Sequence, residues 1–470
     1  MPKTIILYNP SAVFYDMPLA LLAIGTPLAK DFNVVIIDAR IEENIEVILD
    51  KHINDTFLVG VTSLTGAPLK DAIRFSNKIK ELNPNIPVVW GGWHTSLFPE
   101  QVLKDVSSVD ISVQGQGEES FQEIANAVEQ GMELDEIKGI VFRKSDNSIV
   151  KTPPRLMSDM NSFERLNYDL IDVEKYFEAK GRRQFDFITS TGCFFRCTFC
   201  ADPHVFSRKF TSLDPERIFE DLHYYHQKYQ FDDVNFQDET FFTYPKNILA
   251  LAEKLKAVGS PFSWAATMRA DQGSRMSYED FKICKESGLR RLLIGVESGS
   301  QEMMDWLKKD IKMEQVLLCA ERCKNLGIGV IFPFIVGFPG ESEQSVEATK
   351  NMIRKLAFMS QGFETPVFYF KPYPGTQITK EVVANKSYKL PSSIEEWAEF
   401  DYVGSKGPWV SDALFKEMEL LKFYLRARRK NQFFLRPLKW ASHQRVKNMN
   451  FKLPVEKLIV ERLKPKKELS

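Results

Sequence analysis

The stretch Ser190-Thr191-Gly192-Cys193-Phe194-Phe195-Arg196-Cys197-Thr198-Phe199-Cys200 places three cysteines in eight residues, spaced C-x3-C-x2-C. Three thiolates at that spacing suit three irons of a [4Fe-4S] cube; a closed cube takes four cysteines, so one iron stays open to a small molecule. Phe194, Phe195 and Phe199 flank the thiols and are expected to exclude water from them, which together with hydrogen bonds to sulfur sets a cluster's potential. Two other readings stand beside this one. His204, four residues beyond Cys200, would complete a tetrahedral Cys3His zinc site. Alternatively the thiols are unconnected core residues, although half of the six cysteines in 470 residues fall here. Cys284, Cys319 and Cys323 lie on helical patterns and read as core; the i, i+4 pair Cys319 and Cys323 leaves a metal reading open.

Working outward, the cysteine stretch directly follows an apolar strand, Phe185-Asp186-Phe187-Ile188-Thr189-Ser190, and a βα rhythm continues from there. Strands are predicted near 185–190, 233–237, 262–267, 290–296, 328–335 and 366–371, with helices between them. Asp214-Pro215 and Ser277 signal helix starts. About six such units make a partial (β/α)6 barrel with its site at the carboxyl ends of the strands. Polar groups gather at those ends: Gln237-Asp238-Glu239, Arg269, Gly295-Val296-Glu297-Ser298-Gly299 and Val336-Gly337-Phe338-Pro339-Gly340-Glu341. Carboxylates there suit an ammonium group and the arginine a carboxylate. Singly, each is equally well a barrel-end ion pair or a helix cap.

Upstream, strand-like runs at Thr4–Asn9, Val34–Asp38, Phe57–Thr62, Val88–Gly91 and Asp110–Val113 alternate with helix-like segments near 17–30, 43–51, 67–82, 98–105 and 119–129. That alternation predicts an α/β, doubly wound parallel sheet of Rossmann-like form. Ligands of such sheets sit at the strand carboxyl ends, so the loops of interest hold Ser63-Leu64-Thr65-Gly66, Gly91-Gly92-Trp93-His94-Thr95 and Gly115-Gln116-Gly117-Glu118. The glycines permit close backbone approach to a large flat or phosphate-bearing ligand. Gly115-Gln116-Gly117 follows the fifth strand and lacks a third glycine, which argues against a nicotinamide dinucleotide. A hairpin pattern spans Gly139 to Pro153 with its turn at Ser145-Asp146-Asn147-Ser148. The expected organisation is therefore a first domain over 1–135, a linker with hairpin over 136–184, a barrel over 185–376 and a helical C-terminal extension over 377–470.

With the glycine loops ahead of the cysteine triplet, residues 1–371 resemble the cobalamin-dependent radical S-adenosylmethionine family. The resemblance implies a [4Fe-4S] cluster on Cys193, Cys197 and Cys200. It implies S-adenosylmethionine at Phe199, Asp238, Glu239, Arg269, Glu297, Ser298, Val336 and Gly337, with Asp238 or Glu239 on the methionine amine, Glu297 on the ribose or amine and the chain near Val336 on the adenine. It implies cobalamin at Ser63, Leu64, Thr65, Gly91, Gly92, His94, Gly115, Gly117 and Glu118. The lower-ligand sequence Asp-x-His-x-x-Gly is absent: after His52, His204 and His223 the glycine position holds Asp55, Ser207 and His226. His94, the one histidine in a candidate loop, reads either as a cobalt ligand or as a structural residue. In the family, a 5′-deoxyadenosyl radical takes a substrate hydrogen and methylcobalamin supplies a methyl group, so the expected activity is methylation of an unactivated carbon of a small-molecule or lipid-like substrate. Relatives that close or contract rings, or dehydrate, share the motifs, and a zinc-binding protein without redox chemistry is the third reading. No cysteine precedes Cys193 and none follows Cys323, which disfavours methylthiotransferases and auxiliary clusters.

Composition agrees: 44% hydrophobic residues, net charge −1 and no apolar run of about 18 residues predict a cytoplasmic protein. The family resemblance implies a reductant such as flavodoxin or ferredoxin. Charge is uneven. Residues 416–470 hold 16 Lys and Arg against 5 Glu, +11, so the remainder carries −12. Leu414, Met418, Leu421 and Leu425 recur at helical spacing. Further on, Phe433, Phe434, Leu435, Trp440 and Ile459 are interleaved with Arg436, Lys439, Arg445, Lys447, Lys464, Lys466 and Lys467. That texture predicts either a solvated tail or peripheral membrane contact, with nucleic acid not expected.

Overall fold

The computed structural model describes residues 3–401, 406–429 and 435–463. The chain divides into two compact units, one of residues 1–266 and 372–402, the other of residues 267–371 and 403–470.

The first unit opens on β1 (Thr4–Asn9), α1 (Leu19–Leu28), β2 (Asn33–Asp38), α2 (Ile45–His52), β3 (Thr56–Thr62), α3 (Pro68–Leu82), β4 (Val88–Gly91), α4 (Trp93–Leu97), α5 (Pro99–Asp105), β5 (Ile111–Val113) and α6 (Glu118–Gln130). The hairpin strands β6 (Ile140–Arg143) and β7 (Ile149–Lys151) follow. The sheet runs β2-β1-β3-β4-β5-β6-β7, parallel as far as β5 and antiparallel through the hairpin, which forms its edge. Successive strand residues point to opposite faces, so Ile6, Tyr8, Val59 and Val61 pack with α3 and α5, while Ile5, Leu7, Leu58 and Val89 pack with α1 and α6. Burial on both faces accounts for the continuous apolar run of β1. The chain order reverses between β1 and β3, the topological switch point beside which such sheets bind ligands.

Next come α7 (Val173–Lys180), β8 (Gln184–Phe187), β9 (Ser190–Gly192), α8 (Asp202–Val205), β10 (Phe210–Ser212), α9 (Pro215–Tyr229), β11 (Asp233–Phe236), α10 (Pro245–Ala257) and β12 (Ser263–Met268). β8, β11 and β12 are parallel neighbours. The strand expected over 185–190 stops at Phe187. Asp238 captures Thr189 through its backbone N–H at 3.2 Å and its hydroxyl at 2.7 Å and accepts the Ser190 hydroxyl, which diverts the chain into β9. Asp214 stands at the N-cap of α9 as expected, yet its side chain makes no capping bond.

The second unit holds α11 (Ala270–Arg275), α12 (Tyr278–Glu286), β13 (Leu289–Ile294), α13 (Gln301–Trp306), α14 (Met313–Asn325), β14 (Gly329–Ile331), β15 (Phe334–Val336), α15 (Glu343–Met359), β16 (Phe363–Glu364) and β17 (Val367–Tyr369). Ser277 caps α12 with a reciprocal Asp280 bond. β13, β14 and β16 are parallel, as are β15 and β17. The strand expected over 328–335 is broken at Pro333, which has no N–H for a ladder; its carbonyl accepts instead from Val296 and Glu297.

The chain then returns to the first unit with α16 (Gln377–Ala384) and α17 (Ile394–Ala398), where Trp397 completes the core on the α3 face. It finishes in the second unit with α18 (Asp412–Ala427), α19 (Arg436–Asn448) and α20 (Val455–Leu463). Met418, Leu421 and Leu425 are buried on α18, whereas Leu414 is only half-buried. Lys430, Phe433, Phe434, Lys464, Lys466 and Lys467 lie outside the described residues.

Candidate functional site

The cysteine loop is tied at its base by antiparallel pairing of β9 and β10, Gly192 opposite Phe210. Gly192 has φ +85°, and a Cβ there would lie 2.4 Å from the Lys209 carbonyl oxygen, so only glycine closes this base. Between the strands Cys193, Cys197 and Cys200 are half-buried thiols outside any disulfide, and Cys200 N–H donates to the Cys197 carbonyl at 3.3 Å. The outer end is held by Arg208 on the Phe194 carbonyl at 3.2 Å and by Ile378 N–H on the Thr198 carbonyl. Phe194 is itself exposed, so the phenylalanine screen is partly open on that side. The donor set fits a [4Fe-4S] cluster, in which each thiolate takes a different iron. Among the described residues no three Cys, His, Asp or Glu side chains are grouped closely enough to hold a single metal ion. Cys319 and Cys323 are core residues, and burial pushes the Cys319 thiol up to about 12.

A cavity of about 440 Å³ lies in the same unit. Gly91, Gly92, Gly115, Gly117 and Glu118 line it. A Cβ on Gly91 would meet nothing within 4 Å, and one on Gly115 only the Val205 carbonyl at 3.7 Å, so bare backbone faces open space there. At Gly92, φ is +94° and a Cβ would stand 2.8 Å from the Ser63 carbonyl oxygen. Leu19, Ala23 and Ile24 of α1 make an apolar part of the lining, with Ile24 beside Gly117. Bare glycine backbone bordered by an apolar helix in one cavity fits the edge of a corrin ring.

Ser63, Leu64, Thr65 and His94 are not on that wall. The Ser63 hydroxyl donates to the Gly91 carbonyl at 2.8 Å and contacts the Thr95 hydroxyl at 2.6 Å, which holds the loops to each other. His94 lies behind the strip. Its Nδ1 meets the Thr65 hydroxyl at 3.0 Å, its ring packs beside Phe98 and Trp397, and its Nε2 is buried without a partner. Burial pushes the His94 pKa down to about 4. The structural reading of His94 is thus the one its surroundings match.

The cavity also reaches the cysteine-bearing segment, where Ile188, Thr191, Val205 and Phe206 line it, and Glu239, which follows β11; Phe206 meets Trp93 of the glycine loop edge-on at 5.9 Å. Glu239 has a buried oxygen with no hydrogen-bond partner, and burial together with Asp202 raises its carboxyl to about 8. Asp238, raised by burial to about 6, is bonded to Thr189 and Ser190. Of the two carboxylates, Glu239 retains capacity for a cation. The cavity-lining stretch of α1 had escaped the sequence reading because its Leu-Ala-Leu-Leu-Ala-Ile run has the pattern of a core helix.

The remaining candidates belong to the second unit. Arg269 pairs with Asp271 at 2.9 Å and donates to the Lys309 carbonyl. Glu297, at φ +61°, forms a buried ion pair with Lys309. The Ser298 hydroxyl meets that of Thr349 at 3.1 Å. Gly337, at φ +82°, donates its N–H to Glu341 at 2.6 Å and lies so close to Val410 that a Cβ would come within 2.1 Å of that side chain. Lys309 was not foreseen; its bonds to Glu297 and Arg269 within this unit reveal it.

Residues 5–125 match the B12 binding domain family and residues 187–353 the Radical SAM superfamily. An uncharacterized methyltransferase of Pyrococcus horikoshii is 29% identical over 416 residues, 87% of this chain and 88% of that one. The anaerobic magnesium-protoporphyrin IX monomethyl ester cyclase of Rubrivivax gelatinosus is 26% identical over 303 residues, covering 63% of this chain and 54% of the cyclase. In fold, the radical S-adenosylmethionine methyltransferase TsrM of Kitasatospora setae superposes with a TM-score of 0.75 at 16% identity, over 98% of this chain and 99% of that one. With both domains in order on one chain, it belongs to the cobalamin-dependent radical S-adenosylmethionine family. It is an enzyme of methyltransferase type whose radical domain implies a [4Fe-4S] cluster and S-adenosylmethionine and whose first domain implies cobalamin. No helix among the described residues is long and apolar enough to cross a membrane.

Proposed function

We propose that this enzyme methylates an unactivated carbon of a small-molecule or lipid-like substrate. The observation that supports the reading is the shared wall of the first unit's cavity, where the glycine strip and the cysteine-bearing segment border one space. When bound, the cluster with S-adenosylmethionine supplies the hydrogen-abstracting radical, and cobalamin supplies the methyl group. The chain's own work is binding and exclusion. Cys193, Cys197 and Cys200 hold the cluster and leave one iron for the methionine moiety. Glu239, raised by burial, becomes a favourable partner for the methionine ammonium, because an opposite charge at that oxygen restores the ionised form. Gly91, Gly92, Gly115 and Gly117 let the corrin approach the backbone, while Leu19, Ala23 and Ile24 exclude water from its edge. Electrons come from a flavodoxin- or ferredoxin-like reductant, and the basic C-terminal helices give peripheral membrane contact.

A second reading, ring closure without methyl transfer, is favoured by the likeness to the Rubrivivax cyclase. Product mass separates the two, since methylation adds one CH2. The test of the whole reading is the iron, zinc and cobalt content of anaerobically prepared protein beside a Cys197→Ala variant. About four irons lost in the variant, with cobalt kept in both, is the expected result. Zinc in place of iron would overturn it.

A further inference from the structure

The reaction makes no use of the outward faces of α19 and α20. On α20, Val455, Leu458, Ile459 and Arg462 are exposed at i, i+3, i+4 and i+7, a single stripe along the helix. The three apolar members are more than half exposed, and Leu453 just ahead of them is 82% exposed. A surface helix normally turns such a stripe to the core. Here the polar member is turned inward instead: the Glu456 carboxylate accepts from Arg445 at 2.9 Å and from the Tyr424 hydroxyl at 3.0 Å. On α19, Arg436, Trp440, His443 and Lys447 share the exposed face at i, i+4, i+7 and i+11, opposite buried Ser442 and Val446. From residue 436 to 462 the chain carries seven Lys and Arg against two Glu, and both glutamates have cationic partners, Arg445 for Glu456 and Lys457 for Glu461.

We infer that α19 and α20 form a docking face for an anionic phospholipid bilayer, with Trp440 and the Val455, Leu458 and Ile459 stripe seated among the headgroups and the surrounding cations against phosphate. This deepens the membrane contact proposed above and stands apart from the reaction. Charge selects the occupant. A second copy of the same basic face would bring like charge to like, whereas an anionic surface attracts each nearby Lys or Arg by about 1 kcal/mol. The apolar stripe supplies the burial that a purely electrostatic contact lacks.

The test uses the full chain loaded with its cofactors and vesicles of phosphatidylcholine with or without phosphatidylglycerol. The protein sediments with the anionic vesicles at low ionic strength, stays in solution with phosphatidylcholine alone, and is released at high salt. Leu458→Asp with Ile459→Asp weakens binding at least about tenfold, and Lys447→Glu with Lys452→Glu does the same while leaving the apolar stripe intact. Helical circular dichroism and a thermal midpoint equal to the parent's show that both variants are folded, and equal iron and cobalt contents show that the first unit is loaded. Absence of sedimentation with anionic vesicles, or binding untouched by both double variants, overturns the inference. So does a change in solution mass that the variants abolish without any vesicle binding, which assigns the face to a second copy. A protein that lacks iron or cobalt yet binds vesicles refutes the proposed reaction and leaves the docking face standing.

Discussion

Gly192 shows how narrowly one position controls the cysteine loop. An alanine there meets the Lys209 carbonyl and must hold a positive φ, so Gly192→Ala is expected to destabilise the loop base by about 1–3 kcal/mol. Iron content after anaerobic reconstitution falls with it; iron unchanged would mean the β9 and β10 pairing is dispensable. His94 controls a pH dependence. Its folded pKa of about 4 lies below the usual 6.5, so between those values the unfolded chain binds the extra proton and stability falls as pH drops. The full effect is about 3 kcal/mol. Denaturant midpoints from pH 7 to 4 will decline less steeply in His94→Phe than in the parent; equal slopes would place the pH sensitivity elsewhere. The sequence could show that His94 sat in a glycine loop, but not which side of the loop it faced, because that depends on Thr65, Phe98 and Trp397 from distant segments.

At the scale of elements, the strand rhythm was readable wherever burial was two-sided, as in β1 and β3, whose apolar runs have no competing pattern. It misled where a polar side chain or a proline intervened. Asp238 lies 49 residues from Thr189 in sequence, so no local signal announced that it would bend the chain out of β8. Pro333 was visible, and its missing N–H accounts for the split between β14 and β15. α17 is the least legible element and a consequential one. Its Trp397 is buried against His94, Phe98 and Phe400, and its carbonyl accepts from Gly66 N–H at 3.2 Å. Trp397→Ala is expected to cost about 3–5 kcal/mol. Thermal unfolding followed in the first unit measures it, and a loss under 1 kcal/mol would contradict the packing described.

At the scale of the molecule, the cysteine triplet and the two βα series made both cofactor domains legible, whereas the first unit's discontinuity was not, since it depends on contacts between residues some three hundred apart. Gln101 Nε2 donates to the Ser392 carbonyl at 2.9 Å and Ile394 N–H to Asp105 at 3.0 Å. A fragment of residues 1–151 therefore exposes the patch that α17 covers. It is expected to bind a hydrophobic dye on the uncovered α3 face, and a silent fragment would show that the sheet is complete without the returning segment.

That return gives the protein a timetable during its own synthesis. Residues 267–371 separate the two parts of the first unit, and at about 5–20 residues per second their translation takes about 5–20 s. Throughout that interval the nascent sheet, its glycine loops already made, waits beside the ribosome with the seat of Trp397 open to water. For want of one tryptophan, the cobalamin-binding region is thus written well before it is finished.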